Sequence, residues 1–266
     1  MEALRSLARR HLTENVRKPV GFLAGKFTEL VIRPLGGLLF DLKGGQFHAD
    51  GCVFEIPKNV TTRTYRACFL VDDYERDERE LIRKFIRPED RVLEFGACMG
   101  IVSCITNRLL ADRSAHVVVE GNPRLIPAIH RNSALNGCGF LVENCAGSNE
   151  REATFYLHPV YVVGGTTDRK SSVGVRVPGR SVAELTERYG PFTALIMDVE
   201  GSELSLLQAD PSVLASYRLI IIELHPWAIG EDGVEKCREL FRAAGLSKVG
   251  ETGITEAWER SAPAAA

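Results

Sequence analysis

The chain has 266 residues, 45% of them hydrophobic and 26% charged, with a formal net charge of -2 and a pI near 6.3. This composition suits a globular chain with a sizeable core and excludes collagen-like or wholly disordered classes. The near-neutral charge provides no general attraction to nucleic acid, which is not expected as a partner.

Seven cysteines are present, an odd number with no Cys-x-x-Cys pair. They argue against a disulfide framework or a zinc cluster, and for reduced thiols in a cytoplasmic protein.

At the N-terminus Leu4, Leu7, Ala8 and Leu12 recur at helical spacing with Arg5, Arg9 and Arg10 among them. Residues 1–43 hold eight Lys/Arg against four Asp/Glu. The early arginines interrupt any signal-peptide core. Lys26, Glu29, Arg33 and Pro34 make the run from Val20 to Phe40 a poor membrane span. The segment reads as a helical cap, with reversible contact to an anionic membrane as the alternative. Residues 1–72 are expected to form an extension, 73–260 the main domain, and 261–266 a disordered tail. Gly44-Gly45 marks a turn, and Cys52–Ile56 and Thr64–Leu70 read as strand-like pieces of a small hairpin region.

Asp73-Tyr74-Glu75-Arg76-Asp77-Glu78 opens a helix whose apolar face is Leu81, Ile82 and Phe85, and Pro88 ends it. Acids are favourable at a helix N-terminus. The functional alternative places Tyr74 or Glu78 over the ligand pocket of the next unit.

That unit is a strand from Arg91 to Phe95, a turn through Gly96 and Gly100, and a helix from Ile101. A strand–glycine loop–helix unit offers free backbone N–H groups and a positive helix end, and it commonly binds a nucleotide-like ligand. His116–Val119 forms the second strand, ending at Glu120. Asn122 suits the N-cap and Pro123 the first position of the next helix, whose inner face is Leu125, Ile126, Ile129 and Leu135. Glu120 follows Gly100 by about twenty residues, the spacing of an acid that accepts both hydroxyl protons of a ribose.

A third strand runs from Phe140 to Ala146 and turns at Gly147. Ala153–Val163 and Ser172–Val177 form a hairpin with a polar tip, Gly164–Ser171, and Tyr156, His158 and Tyr161 are candidate substrate contacts. Ser181 and Glu184 make a capping box for a helix closed by Gly190-Pro191. The fourth strand, Phe192–Met197, runs into Asp198-Val199-Glu200-Gly201-Ser202-Glu203 and a short helix. The fifth, Arg218–Leu224, leads into His225-Pro226. A long helix through Val234, Cys237, Leu240 and Phe241 follows, then strands near Ser247–Val249 and Thr255–Glu259.

Alternating helices and buried strands predict a doubly wound α/β sheet, whose ligands sit at the carboxyl ends of the strands. Glu94, Glu120, Asp198, Glu200, Glu223 and His225 all fall at strand ends, which argues for one active-site edge. The chain lacks a Gly-x-x-x-x-Gly-Lys-Ser/Thr loop and the Gly-x-Gly-x-x-Gly of a dinucleotide site, and its glycine loop has no basic residue. A nucleoside ligand without phosphate fits better. S-adenosylmethionine is such a ligand, and its sulfonium charge suits nearby carboxylates.

Glu94-Phe95-Gly96-Ala97-Cys98-Met99-Gly100, Glu120-Gly121-Asn122-Pro123, Asp198-Val199-Glu200-Gly201-Ser202-Glu203 and Ile222-Glu223-Leu224 resemble successive motifs of FkbM-type methyltransferases. The similarity spans roughly Tyr74 to Pro226. The chain departs from the family at Glu94, Cys98 and Gly121, where members carry aspartate, asparagine and proline. The resemblance implies a class I, Rossmann-like methyltransferase fold and S-adenosylmethionine as cofactor. It places Glu94, Phe95, Gly96, Ala97, Cys98, Met99, Gly100, Glu120, Gly121, Asn122, Ala146, Gly147 and Asp198 around that cofactor. It also implies O-methylation of a hydroxyl on a sugar, glycan or secondary metabolite.

A hydroxyl is barely ionised at neutral pH, so a general base is expected. Asp198 and Glu200 are the favoured candidates and His225 the alternative. A divalent metal on Asp198, Glu200 and Glu223 is conceivable, but none is expected. An NAD-linked oxidoreductase and a non-catalytic binding protein of the same fold are the competing readings; oligomeric state is left open.

Overall fold

The computed structural model describes residues 32–157, 165–166 and 173–260. The expectations that fall on residues 1–31, on His158 and Tyr161, on most of the tip and on the tail 261–266 lie outside them.

The described chain opens with α1 (Arg33–Leu42), β1 (Gln46–Ala49), β2 (Cys52–Glu55), α2 (Ala67–Leu70) and α3 (Arg76–Phe85). Then come β3 (Val92–Phe95), α4 (Ile101–Leu109), β4 (His116–Val119), α5 (Ile126–Leu135) and β5 (Leu141–Glu143). β6 (Ala146–Gly147), β7 (Glu152–Leu157), β8 (Gly165–Thr166), β9 (Gly174–Arg180) and α6 (Val182–Tyr189) follow. The chain continues through β10 (Ala194–Met197), α7 (Glu203–Ala209), β11 (Leu219–Glu223), α8 (Pro226–Ala243), β12 (Leu246–Thr252) and β13 (Thr255–Arg260).

β3, β4 and β10 are buried at every position. Continuous burial is what a parallel strand covered on both faces requires. The period-2 alternation then sorts side chains between two cores. Val92, Val118, Ile196 and Ile221 face one core, and Leu93, Val117, Val119, Leu195, Met197, Ile220 and Ile222 face the other. The strand order is β12-β13-β11-β10-β3-β4-β5. The run from β11 to β5 is parallel, and β13 lies antiparallel between β11 and β12. This is the class I methyltransferase sheet that the resemblance implied, with helices on both faces.

Four local expectations change. Thr64–Leu70 is turn and helix rather than strand. Tyr65 N–H donates to Thr62 Oγ1 at 3.1 Å, and the Arg66 guanidinium grips Asp41 through two bonds of 2.8 Å. Those bonds, with Phe69 buried among Phe40, Phe47 and Tyr74, favour a compact turn over an extended strand. α5 starts later than the Asn122 cap implied. Asn122 Oδ1 caps a preceding turn through Arg124 N–H at 3.0 Å, and Pro127, not Pro123, occupies the first helical turn. The third strand leaves the sheet after Glu143, and Ala146–Gly147 pairs instead with Gly179–Arg180. In the hairpin, Gly165–Thr166 pairs with Leu157 and Tyr156, so part of the tip is a strand. The Ser181–Glu184 capping box forms as expected.

The described part of the extension packs into the first core, where Phe40, Phe47, Phe54 and Phe69 meet Ile82 and Ile101. Its hairpin is fixed by two asparagines one turn apart, Asn132 within α5 and Asn136 at its C-cap. Asn136 Oδ1 accepts from Val53 N–H and Asn132 Oδ1 from Glu55 N–H, each at 2.9 Å. The Asn132 amide also donates to Met99 O at 2.9 Å, inside the glycine loop. Among the described residues no helix is long and apolar enough to cross a membrane.

Candidate active site

The glycine loop lies between β3 and α4. Gly96 has φ +94°, and a β-carbon there would stand 1.7 Å from the carbonyl oxygen of Asp198. The end of β3 and the end of β10 are thus pressed backbone to backbone, which only glycine permits. Four of the loop N–H groups are engaged, where the sequence reading expected free ones. Gly96 and Ala97 N–H donate to Val119 O at 3.0 and 3.3 Å, and Gly100 N–H to Ala97 O at 2.7 Å. Cys98 N–H donates to Glu120 Oε2 at 2.7 Å. A pyrophosphate therefore finds few donors here, whereas an uncharged nucleoside needs none of them.

Glu120 sits at the tip of β4, buried, and its Oε1 also accepts from Asn122 N–H at 2.6 Å. A carboxylate offers about four lone-pair sites; these two bonds leave room for two ribose hydroxyls. Burial pushes its pKa up to about 7, against the pull of the Asn122 and Cys98 N–H groups.

Several of the other residues expected around the cofactor act indirectly. Glu94 is buried inside β3; it accepts a short hydrogen bond from the Ser103 hydroxyl, and its other oxygen lies 3.1 Å from His116 Nε2. It props the loop from beneath rather than presenting an oxygen to a ligand. Phe95 and Met99 are also buried in the cores, so only their backbones border the loop. Cys98 has φ +51°, and its thiol is hydrogen-bonded to the Tyr74 hydroxyl. Gly121 lies under Phe155, whose ring would meet a β-carbon at 2.5 Å, and Gly147 lies under Leu206 and Phe95. Ala146 is buried beside it.

Opposite the loop, the ends of β10 and β11 bring Asp198, Glu200, Glu223 and His225 together. His225 Nε2 lies 3.4 Å from Glu223 Oε1, 3.6 Å from Asp198 Oδ1 and 3.9 Å from Glu200 Oε2. Its Nδ1 is 2.6 Å from Glu203 Oε1, and both residues are buried. Desolvation opposes the charged imidazole, but the bonds to Glu203 and Glu223 and the nearby Asp198 outweigh it and raise the pKa to about 10. His225, the alternative base of the sequence reading, thus sits among four carboxylates as their charge partner. Asp198 is held well above the usual carboxylate range by burial and by Glu75 and Glu223.

Two members were not foreseen as site residues. Glu75 precedes α3 in the left-handed region, with φ +45°. Burial first, then Glu223 and Glu200, push its pKa up to about 8. Its signal was the acidic cluster 73–78, read as helix-end acids with Tyr74 and Glu78 as the functional members. Glu78 is buried nearby. Glu203 is the third acid of the Asp-x-Glu-Gly-x-Glu block. Its burial under His225 depends on β10 and β11 being neighbours, which sequence spacing does not display.

The chain's residues 89–247 match the family model described as the methyltransferase FkbM domain. No curated protein sequence matches the chain. Among solved structures, a precorrin-6y C5,15-methyltransferase from Geobacter metallireducens is similar at 11% identity and a TM-score of 0.44, over 78% of this chain and 94% of its own. The O-methyltransferase TomG from Streptomyces achromogenes, solved with S-adenosylmethionine, aligns at 15% identity and a TM-score of 0.43, over 69% and 79%. A putative O-methyltransferase from Klebsiella pneumoniae aligns at 15% identity and a TM-score of 0.41, over 69% and 78%. The family model covers more than half of the chain, so the protein belongs to the FkbM methyltransferase family, with S-adenosylmethionine as its methyl donor.

Proposed function

We propose that the protein methylates a hydroxyl oxygen of a small molecule or glycan, in the sugar or secondary-metabolite class, through a domain spanning residues 73–260. The observation that carries this reading is the backbone contact between Gly96 and Asp198. It joins the adenosine side of the cleft to the acidic side, so donor and acceptor share one edge of the sheet.

The residues fit the cofactor. Glu120 holds the ribose, the backbone of Gly121 and Asn122 continues that wall, and Phe155 closes it over Gly121. Glu94, through Ser103 and His116, keeps the loop in place. Ala146 and Gly147 lie at the turn after β5. The bound sulfonium supplies an electrophilic methyl group on a good leaving group. The chain must then align an oxygen with that methyl and accept its proton. Asp198 performs the second task, with Glu200 beside it. Its Oδ1 is buried without a hydrogen-bond partner. The NAD-linked alternative is disfavoured, because four of the loop N–H groups that a pyrophosphate would use are already engaged.

The test has two parts. Isothermal titration of the full chain with S-adenosylhomocysteine is expected to show one site per chain. Incubation with S-adenosylmethionine and a panel of sugars and hydroxylated metabolites is expected to yield products heavier by one methyl group. A folded sample that binds NADH in preference to S-adenosylhomocysteine, or that methylates only nitrogen or carbon, would overturn the reading.

A further inference from the structure

We propose that Glu75, Asp198 and Glu223, together with His225 Nε2, form a binding site for one hard divalent cation of the Mg2+ or Mn2+ kind. This reverses the sequence expectation that no metal takes part.

Two donor sets overlap here. Asp198, Glu200 and His225 form one, and Glu75, Asp198 and Glu223 the other; within each, the ligand atoms lie within 4.8 Å of one another. Asp198 belongs to both. An ion bound at about 2.1 Å spaces its adjacent ligands by about 3 Å and its opposed ligands by about 4.2 Å. The distances of 3.4 and 3.6 Å from His225 Nε2 to Glu223 and Asp198 fall in that interval.

The second observation concerns how the imidazole is held. Glu203 is fully buried, and its Oε1 takes His225 Nδ1 at 2.6 Å. Without an ion Nε2 carries a proton; a cation that takes the place of that proton finds Nδ1–H already held by a carboxylate, the usual support of a metal-ligating histidine. Glu203 is itself steadied by Gly201 N–H at 2.9 Å, yet its Oε2 is buried without a hydrogen-bond partner. The Asp198 oxygen that faces His225, Oδ1, is likewise buried without one.

Charge balance points the same way. Among the described residues no lysine or arginine pairs with Glu75, Asp198, Glu203 or Glu223. His225 offsets one charge at most, and the remaining carboxylates gathered this closely need shared protons or a bound cation. The donor chemistry selects which cation. One imidazole among oxygens departs from the all-oxygen shell of Ca2+, and no cysteine joins the set to favour a softer metal. The role we give the ion, orienting the acceptor oxygen, rests on the O-methyltransfer reading; the binding itself does not.

The full chain, stripped with a chelator and dialysed, is titrated with Mn2+ while free Mn2+ is followed by electron paramagnetic resonance. S-adenosylhomocysteine binding is measured in parallel. One Mn2+ per chain, displaced by Mg2+, is expected. Glu223→Gln and Glu75→Gln are each expected to weaken it tenfold or more, with S-adenosylhomocysteine affinity unchanged within about twofold. Circular dichroism confirms folding, and Glu223→Asp or Glu75→Asp replaces any variant that fails to fold. No saturable Mn2+ binding at millimolar concentration, or equal binding by the folded variants, overturns the site. Mn2+ binding with no S-adenosylhomocysteine binding supports the cation site and counts against the methyltransfer reading.

Discussion

Replacing Gly96 with alanine is expected to destabilise the protein by about 3 kcal/mol and to abolish S-adenosylhomocysteine binding. Two penalties combine. A φ of +94° is unfavourable for any residue with a β-carbon, by about 1–3 kcal/mol. The added methyl also meets the carbonyl oxygen of Asp198 at 1.7 Å, and overpacking of this kind adds about 1–3 kcal/mol. Neither partner yields easily. Asp198 N–H is bonded to Phe95 O at 3.0 Å, and Gly96 N–H to Val119 O at 3.0 Å, so relief at one point breaks a bond at another. Urea unfolding measures the loss. Gly45→Ala is the control, since Gly45 has φ +65° and nothing within 4 Å of the added carbon. Only the conformational penalty of about 1–2 kcal/mol is expected there. An equal effect at the two positions would remove the backbone contact as the explanation.

Glu120→Gln is expected to weaken S-adenosylhomocysteine binding by about 30- to 1000-fold, equivalent to about 2–4 kcal/mol for charged hydrogen bonds to two ribose hydroxyls. The amide loses the charge, and its NH2 faces a backbone donor, either Cys98 or Asn122 N–H. The wild-type protein carries a pH signature of the same group. Its folded pKa of about 7 lies above the ordinary 4.5, so below pH 7 the acid is protonated and the charged acceptor is lost. Affinity is then expected to fall about tenfold per pH unit below 7, and this dependence is expected to vanish in Glu120→Gln. The stability effect has the opposite sign. A buried acid with a raised pKa holds its proton in the folded state while the unfolded chain releases it. This contribution to stability is therefore present below pH 4.5 and lost as pH rises toward 7. Titration calorimetry from pH 5.5 to 8.5 separates the two; a flat wild-type profile would show that Glu120 is not the ribose acceptor.

The sheet was legible because parallel strands buried on both faces leave unbroken apolar runs, such as Leu219 to Ile222 and Ala194 to Met197. The acids beyond those runs were legible for the same reason, since strand ends follow once the strands are found. What the spacing did not carry was direction and pairing. Glu94 and Glu120 both close a strand motif, but Glu94 faces the core and meets His116, while Glu120 turns into the loop. Glu75 was hidden because one left-handed residue ahead of α3 re-aims a side chain that a helical wheel assigns to solvent. The His225–Glu203 pair was hidden because it needs two strands whose paired residues are 25 apart in sequence, as Ala194 and Leu219 are, to lie side by side. Thr64–Leu70 misled because its apolar residues serve a cluster of rings rather than a sheet.

Asn132 and Asn136 bear on how modular the chain is. Asn132 holds Glu55 with one end of its amide and Met99 with the other. The hairpin and the donor loop thus share one side chain, and order in one is bought with order in the other. A chain cut at residue 73 would lose that shared support. Asn132 would still hold Met99 but not Glu55, and the aromatic core would stand open, so the stretch that matches the family model, residues 89–247, is shorter than the stretch that packs together here.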